Sequence, residues 1–116
     1  MIHEENRLFR LATKNTSWWF CVTEFGHMEH IHYGERLAED QDPEGLRLKR
    51  TAIPGSSVLY SPKYPNYCLD TLCLEWSGIG RGDYRHSPAE LKMPDGSFSC
   101  DFVYRSFRVF AGSAHM

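Results

Sequence analysis

Residues 25–35 read FGHMEHIHYGE, three histidines and two glutamates in eleven positions. Imidazole and carboxylate are ligands for divalent metals, and His30 and His32 would share one face of a β-strand, because side chains there alternate with period two. A cupin-type centre built from such a pair needs a glutamate a few residues on and a further histidine from a neighbouring strand. Glu35 follows one residue too soon, and the later histidines, His86 and His115, belong to no second motif. Two imidazoles alone leave an ion short of ligands. The cluster therefore reads as polar residues on the exposed face of a hairpin, and neither a metal nor any other cofactor is expected.

Other candidates are weaker. Arg81-Gly82-Asp83 is the tripeptide that adhesion receptors recognise on displayed loops, but its neighbours Gly78 and Gly80 point instead to a backbone that bends tightly or admits another surface. Asp70, Glu75, Asp83 and Asp101 are carboxylates without a recognisable catalytic setting, and neither G-x-S-x-G nor a phosphate-cradling glycine loop occurs. The aromatic residues have a chemistry of their own. A flat ring offers its face to the C–H side of a pyranose, while nearby carboxylates or guanidiniums read the hydroxyls. Trp18, Trp19, Trp76, Tyr60, Tyr64, Tyr67 and Tyr84 are the rings available; adjacent Trp18 and Trp19 must face opposite ways in a strand, so at least one is internal.

The elements that must position these residues are strands. Aromatics make up 14% of the chain, and several segments alternate apolar with polar, as half-buried antiparallel strands do. A strand at RLFRLAT is followed by one at WWFCVTEF, with Trp18, Phe20 and Val22 on one face. The chain reverses at Gly26-His27 and returns through MEHIHYG, with Met28, His30 and His32 on one side and Glu29, Ile31 and Tyr33 on the other. Residues 38–55 are charged and rich in breakers, a solvated insert with at most a short strand. YSPKYPNYCLDTL suits an extended surface segment. A hairpin turning at Pro94-Asp95-Gly96 closes the chain, with alternating Phe98, Cys100, Phe102 and Tyr104 and a bulge expected near Arg105-Ser106.

At 116 residues one core is expected. Thirteen basic and fifteen acidic residues, net −2, make no field to gather nucleic acid or anionic lipid. No apolar span or signal-like N-terminus occurs, so a cytoplasmic location is expected, away from membranes. Cys21, Cys68, Cys73 and Cys100 lack C-x-x-C spacing and read as small buried thiols. The chain ends on an apolar strand without a closing element, which suggests part of a larger unit; residues 112–116 read equally as native continuation or an appended tail.

Three blocks, TSWWFCVTEFGHMEHIHYGERL (16–37), YSP…LDTLCLEWSGIGRGDYR (60–85) and PDGSFSCDFVYRSFRVFAG (94–112), resemble in order and separation the N-terminal domain of family 36 glycoside hydrolases, the larger bacterial and fungal α-galactosidases. Departures occur at Cys73, Leu74, Trp76 and Phe107, where the family's pattern has Pro, Gln, Tyr and His. The resemblance implies an all-β antiparallel sandwich of supersandwich type, of which residues 1–116 form a first part with an insert at about 38–55. It implies a parent that hydrolyses terminal α-galactosyl residues of melibiose and raffinose-type sugars with retention, through two aspartates on a following (β/α)₈ barrel. The family's nucleophile motif, K-W-D-x-N, is missing from this chain. No catalytic residue is thus expected here, and the piece alone should be inactive. Its implied partners are its own barrel, α-galactosides bound by the parent enzyme, and further copies in a homo-oligomer. Asp70, Glu75, Trp76, Asp83, Tyr84 and Arg85 are the residues implied at a substrate rim or interface. Two other classes remain: a self-standing carbohydrate-binding β-module and a cupin-like metal protein.

Overall fold

The structure is a computed structural model that describes residues 1–48, 59–64 and 67–112. It is all-β. Four strands, β1 (Ile2–Glu5), β2 (Leu8–Ala12), β3 (Thr16–Val22) and β4 (Met28–Glu35), form an antiparallel meander in sequence order, and two 3₁₀ turns lie at Pro43–Gly45 and Leu69–Thr71. β2, β3 and β4 fall where alternation places them, and the tight turn between β3 and β4 closes through Thr23 N–H to His27 O at 2.8 Å with Gly26 at φ +94°. A side chain at that φ is strained, so glycine is required there. β1 was not expected. Its connection to β2 uses Asn6 and Arg7, both at positive φ, 51° and 64°, the backbone of a two-residue hairpin normally marked by glycine. Asparagine tolerates that region, and Glu4 supports Arg7 by accepting its backbone N–H at 2.9 Å.

Cross-strand register assigns the two faces. Trp18 pairs with Leu11 and Tyr33, Phe20 with Phe9 and His30, and Val22 with Met28. The other face carries Arg10, Trp19 and His32, and Leu8, Cys21 and Glu29. Both His30 and His32 can pair in this way because the register shifts between Trp19 and Phe20, leaving Ile31 as the extra residue of a bulge in β4. The expected parity of β4 is therefore corrected: His30 and His32 lie on opposite faces. An extra residue inverts everything beyond it.

On the first face Phe9, Phe20 and Val22 form the core, with Leu11, Trp18, Met28 and Tyr104 packed on it. Phe9 stacks on Phe20 with centroids 4.9 Å apart and meets Phe107 edge-on at 5.0 Å. On the second face Trp19 is buried beneath the Arg10 guanidinium, 4.8 Å from its ring. One tryptophan of the pair is thus internal, and Trp18 is half-buried.

Outside the meander, backbone pairing is sparse. Residues 73–75 add an isolated bridge to β4, Glu29 to Leu74, through His30 N–H to Cys73 O and Glu75 N–H to Met28 O. The turn at 94–96 forms as expected, with Met93 N–H to Ser97 O at 2.8 Å, but its flanks carry no ladder. Residues 98–110 instead run extended and touch the rest through Cys100 N–H to Ile79 O and Tyr104 N–H to Gly26 O. The expected alternation holds in burial only from Phe102 to Arg105, since Phe98 is exposed and Asp101 is half-buried like Cys100 and Phe102 on either side of it. Without a paired strand there is no bulge at Arg105-Ser106. The segment from Tyr60 is not all surface either: Cys68 and Leu69 are fully buried under the 3₁₀ turn. Within the insert, the described residues form a 3₁₀ turn capped by Asp42, which accepts from Glu44 N–H; residues 49–55 lie outside the described part.

Phe20→Ala removes the ring at the centre of this core and should lower the unfolding free energy by about 3–5 kcal/mol in urea titration. Tyr33→Ala, at an exposed position of the same sheet, should change it by no more than about 0.5 kcal/mol.

Candidate functional site

The loop from Leu69 to Ser87 carries the residues singled out from the sequence, and an arginine holds its two halves together. Arg85 donates through Nε to Asp83 Oδ1 at 2.8 Å and through its terminal nitrogens to the carbonyls of Leu69, at 2.8 Å, and Leu72. The Leu69 carbonyl already accepts Leu72 N–H at 3.2 Å, closing the 3₁₀ turn, and the guanidinium adds a second donor there while it caps the carbonyl of Leu72 at the turn's end. Asp83 is inside: its side chain is fully buried and also accepts Arg85 N–H at 3.1 Å. Burial pushes the Asp83 carboxyl upward, but the bonds from Arg85 outweigh it and hold the group below the usual carboxylate range. A buried Asp83 is not available to an adhesion receptor, which removes that reading of Arg81-Gly82-Asp83.

Glycine makes the close packing possible. A Cβ on Gly78 would stand 2.8 Å from the Cys100 carbonyl oxygen, and one on Gly80 would stand 2.7 Å from the Ser99 Cβ. The glycines admit another segment of the same chain, the second of the two uses expected of them.

Glu75 sits where the bridge to β4 turns its side chain onto the first face of the sheet. Its Oε1 accepts both Trp18 Nε1–H and His30 Nδ1–H, each at 2.7 Å. Trp76, the next residue, is 45% exposed, with its ring edge-to-face against Phe102 at 5.6 Å. Tyr84 is 73% exposed, and its backbone N–H donates to exposed Asp70 at 3.3 Å. The six chosen residues thus divide. Asp70, Trp76 and Tyr84 present themselves outward, Asp83 and Arg85 form the clamp beneath, and Glu75 ties the loop to the sheet.

A second polar cluster escaped sequence reasoning. His27, nearly fully buried, has Nε2 2.7 Å from Asp101 Oδ1 and Nδ1 2.7 Å from the Tyr67 hydroxyl. Tyr67 also contacts Thr23 Oγ1 at 2.7 Å, and Tyr60 donates to the other oxygen of Asp101. With Nε2 protonated, one direction satisfies the whole chain: Thr23 O–H to Tyr67, Tyr67 O–H to His27 Nδ1, His27 Nε2–H to Asp101. Burial raises the Tyr67 phenol to about 12, the Thr23 bond opposing it, and burial with the Asp101 bond raises Tyr60. Neither hydroxyl is poised as a nucleophile. The cluster ties the β3–β4 turn to Tyr60, Tyr67 and Asp101.

On the other face Arg47 donates to Glu29, itself 1% exposed, and to Glu44 at 2.8 Å. Burial, with Glu29 beside it, pushes the Cys21 thiol to about 11 although Arg47 opposes the shift. All four cysteines are free, and only Cys68 is fully buried; the other three are half-buried, less covered than expected. Among the described residues no three His, Cys, Asp or Glu side chains converge as metal ligands. The His30 and His32 rings, on opposite faces, serve Glu75 and the Glu35 carbonyl respectively.

Residues 26–116 match the model of the glycosyl hydrolase family 36 N-terminal domain. The chain belongs to that family. It is 29% identical to α-galactosidase 1 of Pediococcus pentosaceus over 96% of its own length and 15% of the relative's. It is 27% identical to the bifunctional α-galactosidase/sucrose kinase AgaSK of Mediterraneibacter gnavus over 97% of its length, and spans 12% of that protein. Among solved structures, the galactosidase domain of AgaSK superposes with a TM-score of 0.74 at 26% identity, covering 91% of this chain and 15% of the other. The α-galactosidase of Lactobacillus brevis gives 0.68 at 25% identity, covering 84% and 13%. In this family 36 domain the blocks carrying the resemblance are the β3–β4 hairpin, the clamped loop and the extended segment that packs on both.

Two outcomes follow from the geometry. Arg85→Ala leaves Asp83 buried without its cation and should cost about 2 kcal/mol at neutral pH, less than a fully buried pair because the guanidinium is partly solvated. Because Asp83 is depressed when folded, its contribution is complete above the unfolded value near 3.8 and is lost as pH falls through the folded value; wild-type and variant urea midpoints should converge there. At pH 8, iodoacetamide should label Cys73 and Cys100 while sparing Cys21 and Cys68, as peptide mass mapping would show.

Proposed function

We propose that this chain is a non-catalytic part of an α-galactosidase, the portion that braces a catalytic barrel and contributes to a subunit interface. The observation that carries the reading is the family match through residues 26–116, in a chain that spans 12–15% of the relatives named α-galactosidases. The parent would cleave terminal α-galactosyl residues of melibiose and raffinose-type sugars, with its reacting acids outside these residues. The clamped loop supports the bracing role. A turn fixed by Arg85 and glycine contacts presents Asp70, Trp76 and Tyr84 with little ordering entropy left to lose on docking. Exposed Phe98, Val103, Phe107, Val109 and Phe110 add an apolar margin on the extended segment, suited to contact with more protein. Free thiols suit a reducing cytoplasm, and no helix among the described residues is long and apolar enough to cross a membrane.

The test is hydrolysis of melibiose and p-nitrophenyl α-galactoside by the 116-residue chain and by a gene product extended through the downstream reading frame. Activity is expected in the extended protein alone, and combined Trp76→Ala and Tyr84→Ala should weaken its assembly in analytical ultracentrifugation. Hydrolysis by the short chain, or an inert extended protein, would overturn the reading.

A further inference from the structure

A buried histidine is usually an acid-sensitive point of a fold, because charging the ring leaves a new donor without an acceptor. His27 is 3% exposed, and both of its ring nitrogens are occupied, Nε2 by Asp101 Oδ1 and Nδ1 by the Tyr67 hydroxyl, each at 2.7 Å. The two partners differ in kind. A carboxylate only accepts, so Nε2 keeps its hydrogen whatever the charge of the ring, whereas a hydroxyl can donate or accept, so Tyr67 fits Nδ1 with or without a proton. When the ring is neutral, Tyr67 donates to Nδ1 and accepts from Thr23. When Nδ1 carries a proton the direction reverses: Nδ1–H donates to Tyr67, and Tyr67 O–H donates to Thr23 Oγ1 across the same 2.7 Å. Thr23 Oγ1 already accepts the His27 backbone N–H at 3.1 Å, and its second lone pair serves Tyr67. Both forms are thus bonded without movement of a heavy atom.

The charges facing this chain of bonds divide. Asp101 meets the ring directly from the extended segment, and Tyr60 donates to its other oxygen. Arg7 of the β1–β2 turn reaches the Thr23 carbonyl at 3.4 Å, and the Arg81 guanidinium of the loop lies 5.9 Å from the centre of the Tyr60 ring. Glu29 of β4, whose charge acts on Tyr67 from the second face, is matched by Arg47, and Glu24 in the same turn as His27 is exposed. Burial and the two arginines oppose a charged ring, and the contact with Asp101 offsets them. We propose that Thr23, Tyr67, His27 and Asp101 form a proton-tolerant clasp, in which His27 takes up a proton from solvent at Nδ1 while the two hydroxyl bonds reverse and the extended segment stays docked on the β3–β4 turn. Acidification through the imidazole range therefore leaves Phe9 and Phe20 covered.

The test joins ¹H–¹⁵N NMR of the imidazole nitrogens in the 116-residue chain to exchange protection of the Tyr104 amide, which is bonded to Gly26 O at 2.7 Å and so reports docking of the segment. Between pH 8 and pH 5 the Nδ1 signal should change from that of an acceptor to that of an N–H, with the Tyr104 protection factor constant within about twofold. Thr23→Val keeps the side-chain shape and removes the acceptor that the reversed Tyr67 hydroxyl needs. Its protection should be roughly tenfold lower at pH 5 than at pH 8, since an unpaired donor then accompanies the charged ring, whereas Thr23→Ser should follow the wild type. Loss of Tyr104 protection as the wild-type ring charges would overturn the clasp, as would an Nδ1 still unprotonated at pH 5. Identical behaviour of Thr23→Val and wild type at both pH values would remove the hydroxyl reversal and the proposal with it. Should Thr23→Val fail to fold, the reversal is read in the wild type from the Tyr67 Cζ chemical shift, expected to move together with the His27 titration; a Cζ shift that stays fixed would equally overturn it.

Discussion

One unpaired residue in β4 governs how the first sheet meets everything that packs on it. Ile31 interrupts the ladder between Trp19 and Phe20, so His30 stays with Phe20 and Trp18 while His32 crosses to the side of Trp19. Because side chains alternate strictly along a strand, no other device could place His30 opposite Glu75 and keep Tyr33 beside Trp18. The same inversion separates the two imidazoles that looked most like a metal pair. A local irregularity thus converts a candidate ligand set into a structural donor.

Beyond the four paired strands, carboxylates take over the work of the ladder. Glu75 receives Trp18 and His30, Asp101 receives His27 and Tyr60, Asp83 receives Arg85, and Glu29 receives Arg47. All but Asp83 couple segments with little or no backbone pairing between them, Asp83 instead orienting Arg85 toward the Leu69 and Leu72 carbonyls, and each is at least partly withdrawn from water, where a charged acceptor bonds more strongly. The arrangement suits irregular segments. A side chain can find a donor from an arbitrary direction, whereas a backbone ladder demands parallel course and matched spacing.

The sheet was largely legible in the sequence and the site was not, for a common reason. Alternation and a glycine turn are local signals, and they located β2, β3, β4 and the bend at 94–96. β1 was hidden because Asn6-Arg7 makes its turn without glycine. The bulge was hidden because MEHIHYG alternates acceptably in either register. Asp83 lay in a glycine-rich stretch that reads as surface, yet the same small residues let Ser99 and Cys100 pack against the loop that carries it. His27 looked like a turn residue since nothing in its vicinity announces Tyr67, forty positions on, or Asp101, seventy-four on. The three family blocks bridged part of that gap by marking which distant segments belong together.

The buried histidine also bears on how the chain is made. A polypeptide emerges from the ribosome in order, and the meander joins only neighbours, so its strands can assemble while later residues are still being added. His27 can then meet Tyr67 once that residue is made, but its Nε2 must wait until Asp101 has been synthesised. During that interval Nε2 has water as its partner, and its capture by Asp101 closes a loop of more than seventy residues. The last third of the chain therefore acts as a lid fitted to a sheet already formed, and synthesis that pauses before residue 101 would leave Phe9 and Phe20 uncovered.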